Sequence, residues 1–166
     1  MKSAIYSYHS GRIFRHVSSQ SLNEQQADLV LCFGAKSLLA GKPVFTMLKE
    51  KFPKAQIATC STSGEIFHTE VMDETLSITA IEFEKTSVLS RGISIKDFNN
   101  SYEGGKALVS QFEKKDLSYI LVLSDGSLVN GSELVRGMNE VAGEDVLITG
   151  GMAGDGSSFS STLVGL

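Results

Sequence analysis

Ile57-Ala58-Thr59-Cys60-Ser61-Thr62-Ser63-Gly64-Glu65 recurs without a gap as Leu147-Ile148-Thr149-Gly150-Gly151-Met152-Ala153-Gly154-Asp155. The offset is 90 (147 minus 57), and both stretches run apolar pair, Thr, three variable positions, a small residue, Gly and an acid. Apolar residues stopped by small, turn-forming ones read as a buried strand entering a tight turn. A second match lies upstream. Leu29-Val30-Leu31-Cys32-Phe33-Gly34 corresponds to Leu121-Val122-Leu123-Ser124-Asp125-Gly126 at an offset of 92 (121 minus 29), and a helical stretch follows each. Two matches in the same order at nearly the same offset point to a duplicated β-α-β unit. Strands alternating with helices at this rhythm predict an α/β domain: a mixed, mainly parallel sheet with flanking helices, built from two repeated β-α-β units.

Around this repeat the chain divides into an N-terminal strand and short helix over 1–27 and a domain over 28–166. Ala4 to Tyr8 is β-prone, and Ser21-Leu22-Asn23-Glu24 has capping-box spacing for a short helix. Pro43 suits a first helical turn, and Val44, Met47, Leu48 and Lys51 keep helical spacing until Pro53, which predicts a helix over Pro43 to Phe52. The runs Thr75 to Glu84 and Ser87 to Ile95, joined by polar residues, predict a hairpin. Tyr102 to Lys114 carries a helical stripe weakened by Gly104 and Gly105. Tyr119 to Leu123 and Val146 to Thr149 read as strands, and between them Ser132 and Glu133 open a helix with Leu134, Met138 and Val141 on its apolar face.

Composition narrows the function. A length of 166 residues suits about one domain. With 42% hydrophobic and 20% charged residues, disorder and coiled coil are poor descriptions. The net charge of -4 lacks the positive field that concentrates nucleic acid. Two cysteines, Cys32 and Cys60, form neither a disulfide scaffold nor a C-x-x-C pair, which fits a reducing, cytoplasmic setting. No signal peptide opens the sequence, and the longest apolar run falls far short of the roughly 20 residues that span a bilayer. The chain ends on Leu163-Val164-Gly165-Leu166 in mid-run. Such an ending reads as cut from a longer protein, and its last strand needs a neighbour there or in a homo-oligomer.

The two turns follow the carboxyl ends of strands, where open α/β sheets place ligand crevices. Five of the 16 glycines, Gly64, Gly150, Gly151, Gly154 and Gly156, fall in them. The N–H groups of Ser61, Thr62, Ser63, Gly151 and Ala153 are candidates for an anion nest. The hydroxyls of Ser61, Thr62 and Ser63 add directional hydrogen bonds, and Glu65 and Asp155 suit an ammonium group. A small zwitterion such as an amino acid fits this set. The competing reading is local: glycines for positive φ, acids for capping turn N–H groups.

Gly150-Gly151-Met152-Ala153-Gly154-Asp155-Gly156 lacks the G-x-G-x-x-G order, and Gly104-Gly105-Lys106 lacks the rest of a Walker motif, so neither nucleotide fingerprint applies. Cys60 would serve as a nucleophile with His68 beside it, but its counterpart in the repeat is Gly150, which argues for size over reactivity. Ser124 and Asp125 either face the same crevice or form an Asx turn before Gly126. His9, His16 and His68 show no zinc spacing; each is open to haem ligation. No resident cofactor or metal is expected, and no catalytic constellation supports an enzyme.

Ala27-Asp28-Leu29-Val30-Leu31-Cys32-Phe33, then Cys60-Ser61-Thr62-Ser63-Gly64-Glu65-Ile66, then Gly150-Gly151-Met152-Ala153-Gly154-Asp155-Gly156 with Phe159 and Thr162, resemble in order and spacing the N-terminal half of the FIST domain. The likeness covers Asp28 to the chain end. Ser63 departs from the alanine more usual in the family pattern, a small change that leaves the turn chemistry intact. The resemblance implies a sensory input module of intracellular signalling proteins that binds a small ligand, amino acids among the candidates. It also implies a C-terminal half beyond these residues and an output partner such as a histidine kinase. Some relatives are described as haem-binding nitric oxide sensors, which makes that the alternative reading; a hydrolase-like enzyme is third.

Overall fold

A computed structural model describes residues 1–18, 22–67 and 69–166; Ser21 of the expected capping box and His68 lie outside the described residues. The chain forms two compact units, Met1–Ser90 with Gly154–Leu166, and Arg91–Ala153. The second is thus inserted in the sequence of the first.

The first unit is a six-stranded sheet with helices. Its elements are β1 (Lys2–His9), β2 (Arg12–Ser18), β3 (Leu29–Gly34), α1 (Lys36–Leu39), α2 (Lys42–Lys51), β4 (Gln56–Ser61), the small hairpin β5 (Glu65–Phe67) and β6 (Glu70–Met72), then β7 (Leu76–Glu82) and β10 (Val164–Gly165). The strand order is β10-β4-β3-β7-β1-β2. Of its five pairings only β3 with β4 is parallel, the rest antiparallel, so the mainly parallel sheet expected from the sequence is corrected to a mostly antiparallel one. The reason lies in connectivity. Only the β3-to-β4 link carries the helical crossover that parallel neighbours require, while β1 and β7 enter as antiparallel neighbours beside β3. The hairpin expected from Thr75 to Ile95 fails for a related reason. β7 has β1 on one edge and β3 on the other, so no edge of it is left for a hairpin partner, and residues 87–94 form no strand.

Alternation decides which sheet face becomes core. Val30, Cys32, Ile57, Ile78, Ala80 and Tyr6 are buried together with Val44, Leu48 and Phe52 of the α2 region. α2 has Pro in its first turn, where a missing N–H costs no intrahelical bond, and ends as Phe52 N donates to Leu48 O just before Pro53. Tyr6 meets Phe52 edge to face at a centroid distance of 5.4 Å and donates its hydroxyl to Glu24 at 2.9 Å, which in turn pairs with Lys51 at 2.8 Å. Asn23, the residue before Glu24, caps that short helical turn by accepting from Gln25 N at 3.0 Å.

The second unit packs α3 (Ser101–Val109) and α4 (Gly131–Ala142) with the parallel pair β8 (Tyr119–Ser124) and β9 (Leu147–Met152). Asn100 caps α3 by accepting from Glu103 N, and Asn130 caps α4 from Glu133 N, each three residues on. Ile120, Leu134, Met138 and Val109 form the core. Tyr119 and Leu147 are exposed, so these strands are buried on one face rather than both. Each half of the sequence repeat thus forms a parallel strand pair with a helical crossover. The pairing sets Cys32 opposite Thr59 and Leu121 opposite Thr149, three residues out of step with the match of Leu29 to Leu121. The turn motif repeats more faithfully than the strand before it.

Candidate functional site

The carboxyl ends of β3 and β4 lie side by side, with Gly34 paired to Ser61. Both strands leave the sheet there, and the residues just beyond them converge. Thr62 N donates to Gly34 O at 3.1 Å, and Ala35 N donates to Thr75 O at 3.0 Å. Ser61, fully buried, binds the returning chain four times. Its Oγ donates to Gly154 O at 2.6 Å and accepts from Leu163 N at 2.9 Å; its O accepts from Gly154 N and its N donates to Leu163 O, both at 2.8 Å. A Cβ on Gly154 would stand 2.4 Å from Ser63 Oγ, so glycine is what lets the two turns touch. Ser63 Oγ also accepts from Gly156 N at 3.2 Å.

Of the residues expected in the site, the structure therefore brings Ser61, Thr62, Ser63, Gly64 and Glu65 together with Gly154 and Asp155. Gly150, Gly151 and Ala153 belong to the other unit. There Gly150 lies against β8, where a Cβ would come 1.8 Å from Val122 O, and Ala153 N donates to Ser124 O at 2.8 Å. Asp125 forms the Asx turn: its Oδ1 accepts from Ser127 N and Leu128 N, both at 2.7 Å.

The chemistry of the turn differs from the anion nest read from the sequence. The N–H groups of Ser61, Thr62 and Ala153 are committed to Leu163, Gly34 and Ser124 carbonyls, because strand ends in a closed loop satisfy their donors locally. The acids are held too. Glu65 is buried and accepts from Thr62 Oγ1 at 2.6 Å, Thr75 Oγ1 at 2.8 Å and Thr75 N at 3.3 Å. Asp155 Oδ2 accepts from Ser160 N at 2.7 Å, Ser161 N at 3.0 Å and Ser160 Oγ at 3.2 Å, leaving its other oxygen outside this set. The backbone donors of Ser161 and Ser160, with a smaller attraction from the Lys36 ammonium, hold the Asp155 carboxyl below the usual aspartate range.

Lys36 is the residue that motif reading missed. It opens α1 two residues after β3 ends, is half-buried, donates Nζ to Ser161 Oγ, and forms no ion pair among the described residues. Its position just past a central strand was the available signal, since that is where open sheets recruit ligand groups.

Neither cysteine is poised to react. Burial pushes the Cys60 thiol up to about 11 and that of Cys32 up to about 12, and Cys60 Sγ points at Ser61 O, 3.6 Å away. A thiol-specific probe at pH 7.5 is expected to leave both unmodified in the folded protein and to modify two thiols once denaturant is added; selective labelling of Cys60 in the folded state would restore it as a nucleophile. His16 places Nε2 at 2.7 Å from Ser7 Oγ with its ring edge-on to Phe67, and His9 stacks on Phe14 at 4.4 Å, so the described histidines offer no observation in favour of axial haem ligation. Among the described residues no group of three or more His, Cys, Asp or Glu side chains could hold a metal ion, and no helix is long and apolar enough to cross a membrane.

No curated protein and no solved structure matches the chain. Residues 28–166 match the FIST N domain, and the chain therefore belongs to the FIST family of sensory domains in signal transduction.

Proposed function

We propose that the chain is a cytoplasmic sensory module that binds a small carboxylate, an amino acid first among them, at the carboxyl ends of β3 and β4. It would report occupancy to an output partner such as a histidine kinase. The observation that supports this reading is Lys36: a cation on a half-buried residue with a neutral hydroxyl for a partner, near enough to Asp155 for its charge to act on that carboxyl. A carboxylate meets the ammonium through a charge-assisted hydrogen bond, roughly twice as strong as one between neutral groups. The α-amino group of an amino acid would then turn toward Asp155.

Calorimetric titration with glycine, alanine, glutamate and acetate tests the proposal. Binding is expected from at least one of them, and Lys36→Met should weaken it by about ten- to a hundredfold, the loss for a hydrogen bond to a charged group. Thermal stability should hardly change, because the Lys36 head group lies at the surface end of its side chain and surface substitutions shift stability by about 0.5 kcal/mol or less. No binding across the set, or equal binding by Lys36→Met, overturns the reading.

A further inference from the structure

Gly154 to Leu163 forms a strap whose two ends hang on one residue, Ser61, through the four hydrogen bonds described above. Between those anchors Asp155 gathers the N–H groups of Ser160 and Ser161, and Ser161 Oγ receives the Lys36 ammonium. At the tip Phe159 is 90% exposed and takes φ +47. A bulky residue rarely adopts that left-handed conformation, and an exposed phenyl gains nothing from burial. The tip is thus held in its shape by the bonds at its base and flank, not by any preference of its own, a pattern found where loops have two arrangements.

Resting on the binding reading above, we propose that the strap is an internal stand-in for the ligand. In the ligand-free protein Ser161 occupies Lys36. An incoming carboxylate replaces it, and the tip from Ser157 to Ser161 lifts off Asp155 while Gly154 and Leu163 stay fixed on Ser61. The exchange has a driving force, because a hydroxyl acceptor gives way to a carboxylate on the same ammonium. It also meets the requirement for any ligand-driven shift: the ligand interacts differently with the two states, since the Lys36 ammonium is bonded to Ser161 in one and released from it in the other. Phe159, carried at the tip and exposed in both arrangements, is the group that gains most freedom of motion.

The chain contains no tryptophan, so F159W gives a single indole at an exposed position where the fold does not depend on the side chain. Titration of F159W with glycine, alanine, glutamate and acetate is expected to lower the indole fluorescence anisotropy in step with calorimetric binding. S161A removes the stand-in at an exposed site. It should tighten binding about fivefold, the worth of one competing neutral hydrogen bond, and, combined with F159W, lower the anisotropy before any ligand is added. Binding with unchanged anisotropy and unchanged S161A affinity overturns the strap and leaves the binding site standing. Absence of binding in F159W and S161A alike overturns both.

Discussion

Replacing Phe52 by alanine is expected to lower the unfolding free energy of the first unit by about 3–5 kcal/mol, the usual cost of emptying a buried aromatic site. Phe52 is fully buried and stands where the α2 helix ends, so its ring closes the helix onto the sheet. Tyr6, also fully buried, meets it edge-on and loses that partner in the variant. Collapse into the cavity is limited, because Tyr6 is tethered through its hydroxyl to Glu24 and thence to Lys51. A urea titration gives the size of the loss, and amide exchange places it: the β3 and β7 amides should lose protection. A change below about 1 kcal/mol would mean that the sheet and α2 do not share the core described here.

Gly137→Val should destabilise the second unit by about 3 kcal/mol, at the upper end for overpacking. A Cβ at Gly137 would fall 2.1 Å from Tyr102 O, and one at Gly105 would fall 2.2 Å from Leu134 O. α3 and α4 thus meet backbone to backbone, and no rotamer change relieves a clash with a carbonyl. Gly137→Ala should cost less, since alanine returns about 1 kcal/mol of helix propensity. Gly151→Ala serves as the control, as its Cβ would meet nothing within 4 Å. Circular dichroism during urea unfolding measures all three. Equal stability of the Gly137→Val and Gly151→Ala variants would sink the close crossing.

This crossing also shows where sequence reading loses information. Gly104 and Gly105 look like flaws in a helix when only propensity is counted, yet Gly105 is what permits the approach of a helix about thirty residues away in the chain. The strand runs of the repeat, the helix closed by Pro53 and the α4 stripe were legible because periodicity and punctuation are local. Sheet direction was not, since it depends on which strands claim the two edges of β3, and the run from Ser87 to Ile95 has strand composition but finds both edges of β7 taken. In the candidate site, the Ser61-to-Glu65 turn and the Gly154-Asp155 pair were legible as one motif repeated. That Gly150, Gly151 and Ala153 fold into another unit was not, because nothing local marks the boundary at Ala153. Lys36 carries no motif at all; only its place after β3 marks it.

The insertion of Arg91–Ala153 into the first unit has a temporal consequence. A ribosome delivers β4 long before the strap and β10 that cover its edge, with the whole second unit synthesised in between. At about 5–20 residues per second the β4 edge stays unpaired for seconds, a period in which exposed strand edges recruit other chains. A slowly translated or heat-stressed nascent chain should therefore be most vulnerable to misassembly at Gln56–Ser61. Ser61, the residue that later fastens the strap, gains Gly154 and Leu163 as partners only after the whole second unit has been made.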